Sequence, residues 1–157
     1  MKYINLTQGK RAIVDDEDFE ELNKVKWCFS DGYAIRRYTN EQGSSVYTKM
    51  HRFIMNTPNK MDTDHINHNK LDNRKSNLRI CTRTENQQNH KIQKNSTSGY
   101  KGVNYHKVNQ VWRAQIRINR KHTHLGCFDT KEEAAIAYNQ AAIKYFGEFA
   151  YLNKVLT

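Results

Sequence analysis

The run from Gly99 to Gly147 constrains the fold of this 157-residue chain most. "GYKGVNYH", "VWRAQIRIN" and "KHTHLGCF" are three short strand-like pieces separated by turn residues. In the second, Trp112, Ala114, Ile116 and Ile118 fall on one face, and Arg113, Gln115, Arg117 and Asn119 on the other. Successive side chains of a strand leave opposite faces, so this alternation separates a core side from a solvent side. "DTKEEAAIAYNQAAIKYFGE" follows. Thr130 and Glu133 have the spacing of a capping box, and Gly147 is a natural C-terminal stop. Between them Ala134, Ala137, Tyr138, Ala141, Ala142 and Tyr145 supply an inner stripe small enough to lie close against a sheet. The pattern predicts a three-stranded antiparallel sheet packed on one helix.

The solvent side of that sheet is basic. It shows Lys101, Arg113, Gln115, Arg117 and the Lys121–His124 edge, with Asn104 and His106 on the first strand. No acidic residue occurs from Gly99 to Phe128. The whole chain carries a net charge of +10. The charge is uneven: residues 1–90 hold 15 Lys/Arg against 12 Asp/Glu, whereas residues 91–157 hold 11 against 4. A polyanion is the expected partner. Nucleic acid fits better than a membrane, because the sequence has neither a long apolar run nor a basic amphipathic segment. Arg, Asn and Gln read base edges in a major groove, which a small sheet can enter, and Lys and Arg bind phosphates. The bland alternative is a solvated charged face.

"YKGVNYHKVNQVWRAQIRINRKHTHLGCFDTKEEAAIAYNQAAIKYFGEFAYLN" resembles the Apetala2-type (ethylene-response-factor) DNA-binding domain over Gly99 to Asn153. The resemblance implies a sheet docked in the major groove with the helix behind it. Carried over by position, it implies DNA contacts at Lys101, Asn104, His106, Arg113, Gln115, Arg117 and His124. That family often has Arg at positions 101, 104 and 106 and an aromatic residue at 124, so a family site preference does not transfer.

The first ninety residues read differently. "YINL" and "RAIV" are short strands around Gly9; "DDEDFEELNKV" is a short helix with Phe19, Leu22 and Val25 on one face. "KWCFS", "YAIRRY" and "SVYTKM" alternate with period two, and "HRFIM" begins a short helix that stops before Pro58. Then comes "MDTDHINHNKLDNRKSNLRICTRTENQQN", rich in Asn and poor in core-forming residues, in which a helix should start near Thr82 or Thr84. Asp64 and His65 are adjacent; Asn77 and Asn86 follow in order. A phosphodiester hydrolase needs oxygen ligands for a hard divalent ion, a base of suitable pKa, and a group that fixes the imidazole. One Asp, one His and two Asn meet that list, although Asn-rich loops also arise for turn reasons alone.

"HRFIM…DTDHINHNKLDNRKSNLRICTRTENQQN" resembles the HNH nuclease family, in its homing-endonuclease branch with Asn as the last residue, from about Tyr47 to Asn89. The preceding "INLTQGKRAIVDDEDF" looks like the N-terminal part of phage HNH proteins. The resemblance implies a ββα-metal fold holding one divalent ion, Mg²⁺ with Mn²⁺ as the alternative. It implies His65 as general base, Asp64 and Asn86 as metal ligands, and Asn77 as the brace of the loop. It implies looser roles for His51 (structural, or a phosphate contact), His68 (exposed in the turn, or at DNA) and Asn89 (in place of Asn86), with His90 as a further alternative. Arg74, Lys75 and Arg79 are expected at phosphate or as solvated charge. Asp72 and Asn73, with Asn67 and Asn69, are expected as turn residues.

The sequence therefore predicts an α+β protein: an HNH nuclease domain over residues 1–90, a polar linker over 91–98 (within "KIQKNSTSG", Lys91–Gly99), and an Apetala2-type domain over 99–157. The expected activity is metal-dependent hydrolysis of double-stranded DNA, as a nick by a monomer or weak homodimer, leaving 3′-hydroxyl and 5′-phosphate ends. The competing expectation is a non-catalytic DNA-binding regulator with a degenerate nuclease domain. Cys28, Cys81 and Cys127 are far apart with no C-x-x-C pair, so neither zinc nor a disulfide framework is expected. The N-terminus has no hydrophobic signal region, so a cytoplasmic location, that of the host cell for a phage protein, is expected.

Overall fold

The computed structural model describes residues 1–92 and 96–155. Part of the expected linker, residues 93–95, lies outside the described residues. Chain contacts divide the protein into two compact units, Met1–Asn86 and Gln87–Thr157.

In the first unit, β1 (Lys2–Asn5) and β2 (Arg11–Val14) form an antiparallel hairpin, closed by a tight turn in which Gln8 and Gly9 both have positive φ. Helix α1 (Asp16–Asn23) follows; its first turn holds Asp16, Glu17 and Asp18, which suits the positive end of the helix dipole. It buries Leu22, with Phe19 and Val25 packed beside it. β3 (Cys28–Ser30), β4 (Tyr33–Thr39) and β5 (Ser45–Lys49) form a three-stranded antiparallel sheet. Helix α2 (Met50–Ile54) ends ahead of Pro58. One apolar core joins these pieces: Ile4, Leu6, Ala12, Val14, Leu22, Trp27, Ala34 and Met50 are all buried. The Trp27 indole N–H, which must find a partner when buried, donates to the Leu22 carbonyl at 2.9 Å.

The Asn-rich stretch then makes a second hairpin, β6 (Asp62–His65) with β7 (Leu78–Cys81), followed by α3 (Arg83–Gln88). Thr82 caps α3 through a reciprocal pair. Its Oγ1 accepts from the Glu85 N–H at 3.2 Å, and Glu85 Oε2 accepts from the Thr82 N–H at 2.7 Å.

The second unit holds β8 (Val103–His106), β9 (Val111–Ile118) and β10 (Lys121–Phe128), antiparallel with β9 in the middle, and α4 (Lys131–Phe146). The capping box of Thr130 and Glu133 is formed. Ala114 and Ile116 on β9 are buried, as are Ala134, Ala135, Tyr138, Ala141 and Ala142 on α4. The stripe is rotated slightly from the expected one. Ala135, not part of the expected stripe, is buried, and Phe146 packs against the core while Tyr145 stands 49% exposed. The residues 135, 138, 142 and 146 follow the i, i+3/i+4 rows of a helix, and this row joins Ala134, Ala137 and Ala141 against the core. No helix among the described residues is long and apolar enough to cross a membrane.

Gly102 lets β9 and α4 approach. Its φ is +75°, and a Cβ there would sit 2.1 Å from the Tyr138 ring and 2.6 Å from the Gln115 carbonyl oxygen. Gly102→Ala is therefore expected to destabilise the second unit by at least about 2 kcal/mol, combining backbone strain and overpacking. Urea unfolding of the full chain, followed by the fluorescence of Trp27 and Trp112, measures it.

Candidate active site and nucleic-acid interface

The loop that joins β6 to β7 is polar but anchored. The Asn77 side chain reaches across it: Oδ1 accepts from the Asn67 N–H at 3.0 Å and Nδ2 donates to the Asp72 carbonyl at 2.8 Å. The Ile66 N–H donates to the Asn77 carbonyl at 3.0 Å. The loop is also pinned to β2, because the Ile13 N–H donates to the Leu71 carbonyl and the Asn73 N–H to the Ile13 carbonyl, each at 2.8 Å. Lys75 closes the clamp on α1. Its N–H donates to Asp15 at 2.7 Å, and its ammonium meets Glu17 at 2.6 Å and Asp18 at 3.1 Å. His68 takes the positive φ (61°) that the turn requires, so its role as a turn residue is a backbone one.

Two clusters of side chains result. The first is an imidazole cluster. His65 is 5% exposed and His51 4%, with ring centroids 4.8 Å apart and edge-to-face. Tyr33 lies 5.3 Å from His51 and 6.2 Å from His65. Asn73 Oδ1 lies 3.2 Å from His65 Nε2. An amide oxygen only accepts, so Nε2 carries the proton and Nδ1 keeps the lone pair. Burial pushes the His65 pKa below its ordinary value, against smaller opposing effects of Asn73, Asp64 and Asp72. Burial pushes His51 down to about 3, helped by the charge of His65. Both rings are neutral at pH 7. Asn73 was expected as a turn former; it is instead wholly buried and touches the imidazole.

The second cluster lies on the other face of β6, as strand alternation requires. Asp62 and Asp64 share that face. Arg79, opposite Asp64 in register, donates to Asp64 Oδ2 from Nε at 3.1 Å and from Nη2 at 2.8 Å. Asn86 on α3 donates from Nδ2 to Asp62 Oδ2 at 3.1 Å, which leaves its Oδ1 as an acceptor. Asp62 is a site residue the sequence reading missed, although its spacing of two from Asp64 on a strand is a legible signal. Arg74 pairs with Asp72 at 2.7 Å and holds that carboxyl below its usual pKa. Arg74, Lys75 and Arg79 are each engaged by carboxylates within the fold. Among the described residues no three His, Cys, Asp or Glu side chains form a metal-binding group; the side-chain oxygens of this cluster are those of Asp62, Asp64 and Asn86. Asn89 is buried just past α3, in the second unit.

In the second unit the strand register sets the outer face. Asn104, Arg113 and Cys127 form one cross-strand row; Gln115 pairs with His124, and Arg117 with His122. Arg117 and His124 are exposed, and His106 is half-buried, its Nδ1 accepting from the Asn109 N–H at 3.3 Å. The Arg113 Nε is buried with no hydrogen-bond partner. Lys101 sits apart from this face, in the turn before β8. Its ammonium donates to the carbonyls of Gln88 at 2.7 Å and His90 at 2.8 Å, and burial lowers its pKa to about 8. His122, within the expected Lys121–His124 edge, stands beside Arg117.

Comparison with known proteins finds two families along the chain. Residues 56–88 match the HNH endonuclease family, and residues 98–148 match the AP2 domain. An uncharacterized HNH endonuclease of Acanthamoeba polyphaga mimivirus is 32% identical over 94% of this chain and 77% of its own length. Protein 3.8 of Escherichia phage T7 is 33% identical over 55% of this chain and 71% of its own length. An ethylene-responsive transcription factor of Arabidopsis thaliana is 45% identical over 36% of this chain, which spans 14% of that protein. No solved structure matches. The protein is therefore of a nuclease class, with a DNA-binding domain following the nuclease domain. The chain belongs to the HNH endonuclease family.

The buried imidazoles make stability depend on pH. Unfolded His titrates near 6.5, whereas folded His51 binds a proton only near 3. The unfolded state thus takes up protons first as pH falls. The stabilisation is complete above 6.5 and is lost below it, at about 1.4 kcal/mol per pH unit for His51. His51→Asn is expected to flatten the fall of the urea midpoint between pH 6.5 and 5.

Proposed function

We propose that the protein is a divalent-metal-dependent endonuclease that nicks double-stranded DNA, with His65 as general base and Asp64 and Asn86 as metal ligands. The observation that carries this is the hairpin itself. It supports hard oxygen donors from β6 and α3 on one side and a neutral imidazole of fixed tautomer on the other. Asp62, Asp64 and the free Asn86 Oδ1 fit a hard cation that prefers oxygen, Mg²⁺ or Mn²⁺, and no soft ligand takes part. When bound, such an ion supplies positive charge to the phosphate and the leaving oxygen. His65 Nδ1 accepts the proton of the attacking water, while Asn73 holds Nε2–H and so keeps the ring in that tautomer. Asn77 acts through the loop, fixing the turn on which Asp72 and Asn73 sit. Arg79, paired with Asp64, offsets the charge of that carboxylate.

Binding falls to the second unit. Its outer face offers Asn104, His106, Arg113, Gln115, Arg117 and His124 to a major groove, with Arg113 Nε a buried donor still to be satisfied. Lys101 contributes by holding the carbonyls of residues 88 and 90. One active site per chain gives a nick from a monomer; Asn89 and His90 lie outside the chemistry.

A non-catalytic regulator is the second reading. The burial of His65 and the Asp64–Arg79 ion pair favour it, since both are also what a retired site would keep for stability. Relaxation of supercoiled plasmid carrying a selected target site separates the two. His65→Ala is expected to lower Mg²⁺-dependent nicking at least ~100-fold with DNA affinity kept. Full activity in that variant removes His65 from the reaction, and no nicking by the wild type supports the regulator. Arg117→Ala is expected to weaken binding and lower the salt slope by about 0.9, one phosphate contact. An unchanged slope places the DNA surface elsewhere.

A further inference from the structure

The outer face of the β3–β4–β5 sheet contains a cleft of about 340 Å³, at the lower end of small-ligand pockets. Ser30, Asp31, Tyr33, Tyr47, Lys49 and Arg52 line it. Two ammonium groups converge on the ring of its lining residue Tyr33: Lys49 Nζ, from the lining, lies 4.1 Å and Lys70 Nζ, from beside the cleft, 4.2 Å from the centroid. Lys49 is exposed on β5, and Lys70 is exposed in the β6–β7 loop, where Nζ also donates to the Asp31 carbonyl at 3.3 Å. Tyr47 is 64% exposed, and the Arg37 guanidinium stacks over it at 5.5 Å. Arg52 is committed to the carbonyls of Thr57, Pro58 and Met61. Asp31 is the one acidic lining residue, exposed in the β3–β4 turn. The cleft is therefore cationic and aromatic together, and its inner wall, Tyr33, is the ring that touches the His51–His65 pair.

Two exposed cations without carboxylate partners among the described ion pairs, set on a tyrosine beside the proposed general base, suit a strand phosphate with its base. We propose that this cleft is a nucleotide subsite of the nuclease unit. It receives one nucleotide of the DNA strand next to the bond to be cut, with the phosphate between Lys49 and Lys70 and the base against Tyr33 and Tyr47. The occupant is DNA rather than a free nucleotide because the cleft opens on a sheet face whose cations continue through Arg37. The subsite rests on the nuclease reading, and it gives the first unit its own hold on DNA, independent of the second.

The chain carries its own probes. Cys28 is exposed and stands in one cross-strand row with Ile35 and Lys49; Cys127 is exposed on the outer face of the other sheet; Cys81 is buried. Alkylation of the full chain by a maleimide, in EDTA, with and without a short random-sequence duplex, reads both surfaces without any cleavage. DNA is expected to slow Cys28 alkylation several-fold in the wild type. In Lys49→Gln/Lys70→Gln that protection should vanish while Cys127 protection stays, and the salt slope should fall by about 0.9. Lys49→Arg/Lys70→Arg should restore both readouts, and an unchanged circular dichroism spectrum shows that the Gln pair folds. Cys28 alkylation indifferent to DNA while Cys127 is protected overturns the proposal. So does an unchanged slope in the Gln pair, and so does protection by a mononucleotide alone. Should the wild type nick no plasmid with any divalent metal while Cys28 protection behaves as stated, the nuclease reading fails and the DNA contact stands.

Discussion

The hydrogen bonds of one asparagine hold this nuclease unit together. The Asn77 side chain satisfies the Asn67 N–H and the Asp72 carbonyl across a loop that has few apolar residues to bury. A polar loop of this length has no hydrophobic reason to keep one shape, so its order has to come from paired polar groups. Once Asn77 ties the two ends, β6 and β7 stay in register, and the register decides which face each of Asp62, Asp64 and His65 points to. A shift of one residue would exchange the faces and dissolve both clusters.

The same loop is tied to the N-terminal hairpin and α1, through Ile13, Asp15, Glu17 and Asp18. This explains why a small nuclease hairpin is preceded by so much structure. β2 and α1 supply backbone and carboxylate partners for Asn73 and Lys75, and the apolar core beneath them carries the stability that the hairpin cannot generate alone. Burial of the imidazoles follows from that support. It keeps them neutral at pH 7, at the cost of stability in acid.

Much of this was legible in the sequence, and unevenly so. The second unit could be read almost element by element, because its signals are local: a two-residue alternation in β9, a capping box at Thr130, a glycine after α4. The exception, Tyr145 exposed and Phe146 packed, turns on which helical row meets the sheet, which is a tertiary fact. In the first unit the ordered Asp, His and Asn residues pointed to the hairpin and the helix after it. What could not be read was long-range. Asn73 is buried because Ile13, sixty residues earlier, pairs with its backbone. Arg79 faces Asp64 only once the hairpin is in register, and Lys101 turns to carbonyls that composition does not reveal.

Whether the oxygen face of β6 and α3 holds a divalent ion decides the proposed nuclease activity most directly. Calorimetric titration of the full chain with Mn²⁺ tests this without DNA. One ion per chain is expected to bind in the wild type and in His65→Ala, and binding should be lost in Asp64→Asn and in Asn86→Ala. Mn²⁺ bound as tightly by Asp64→Asn as by the wild type would contradict the account.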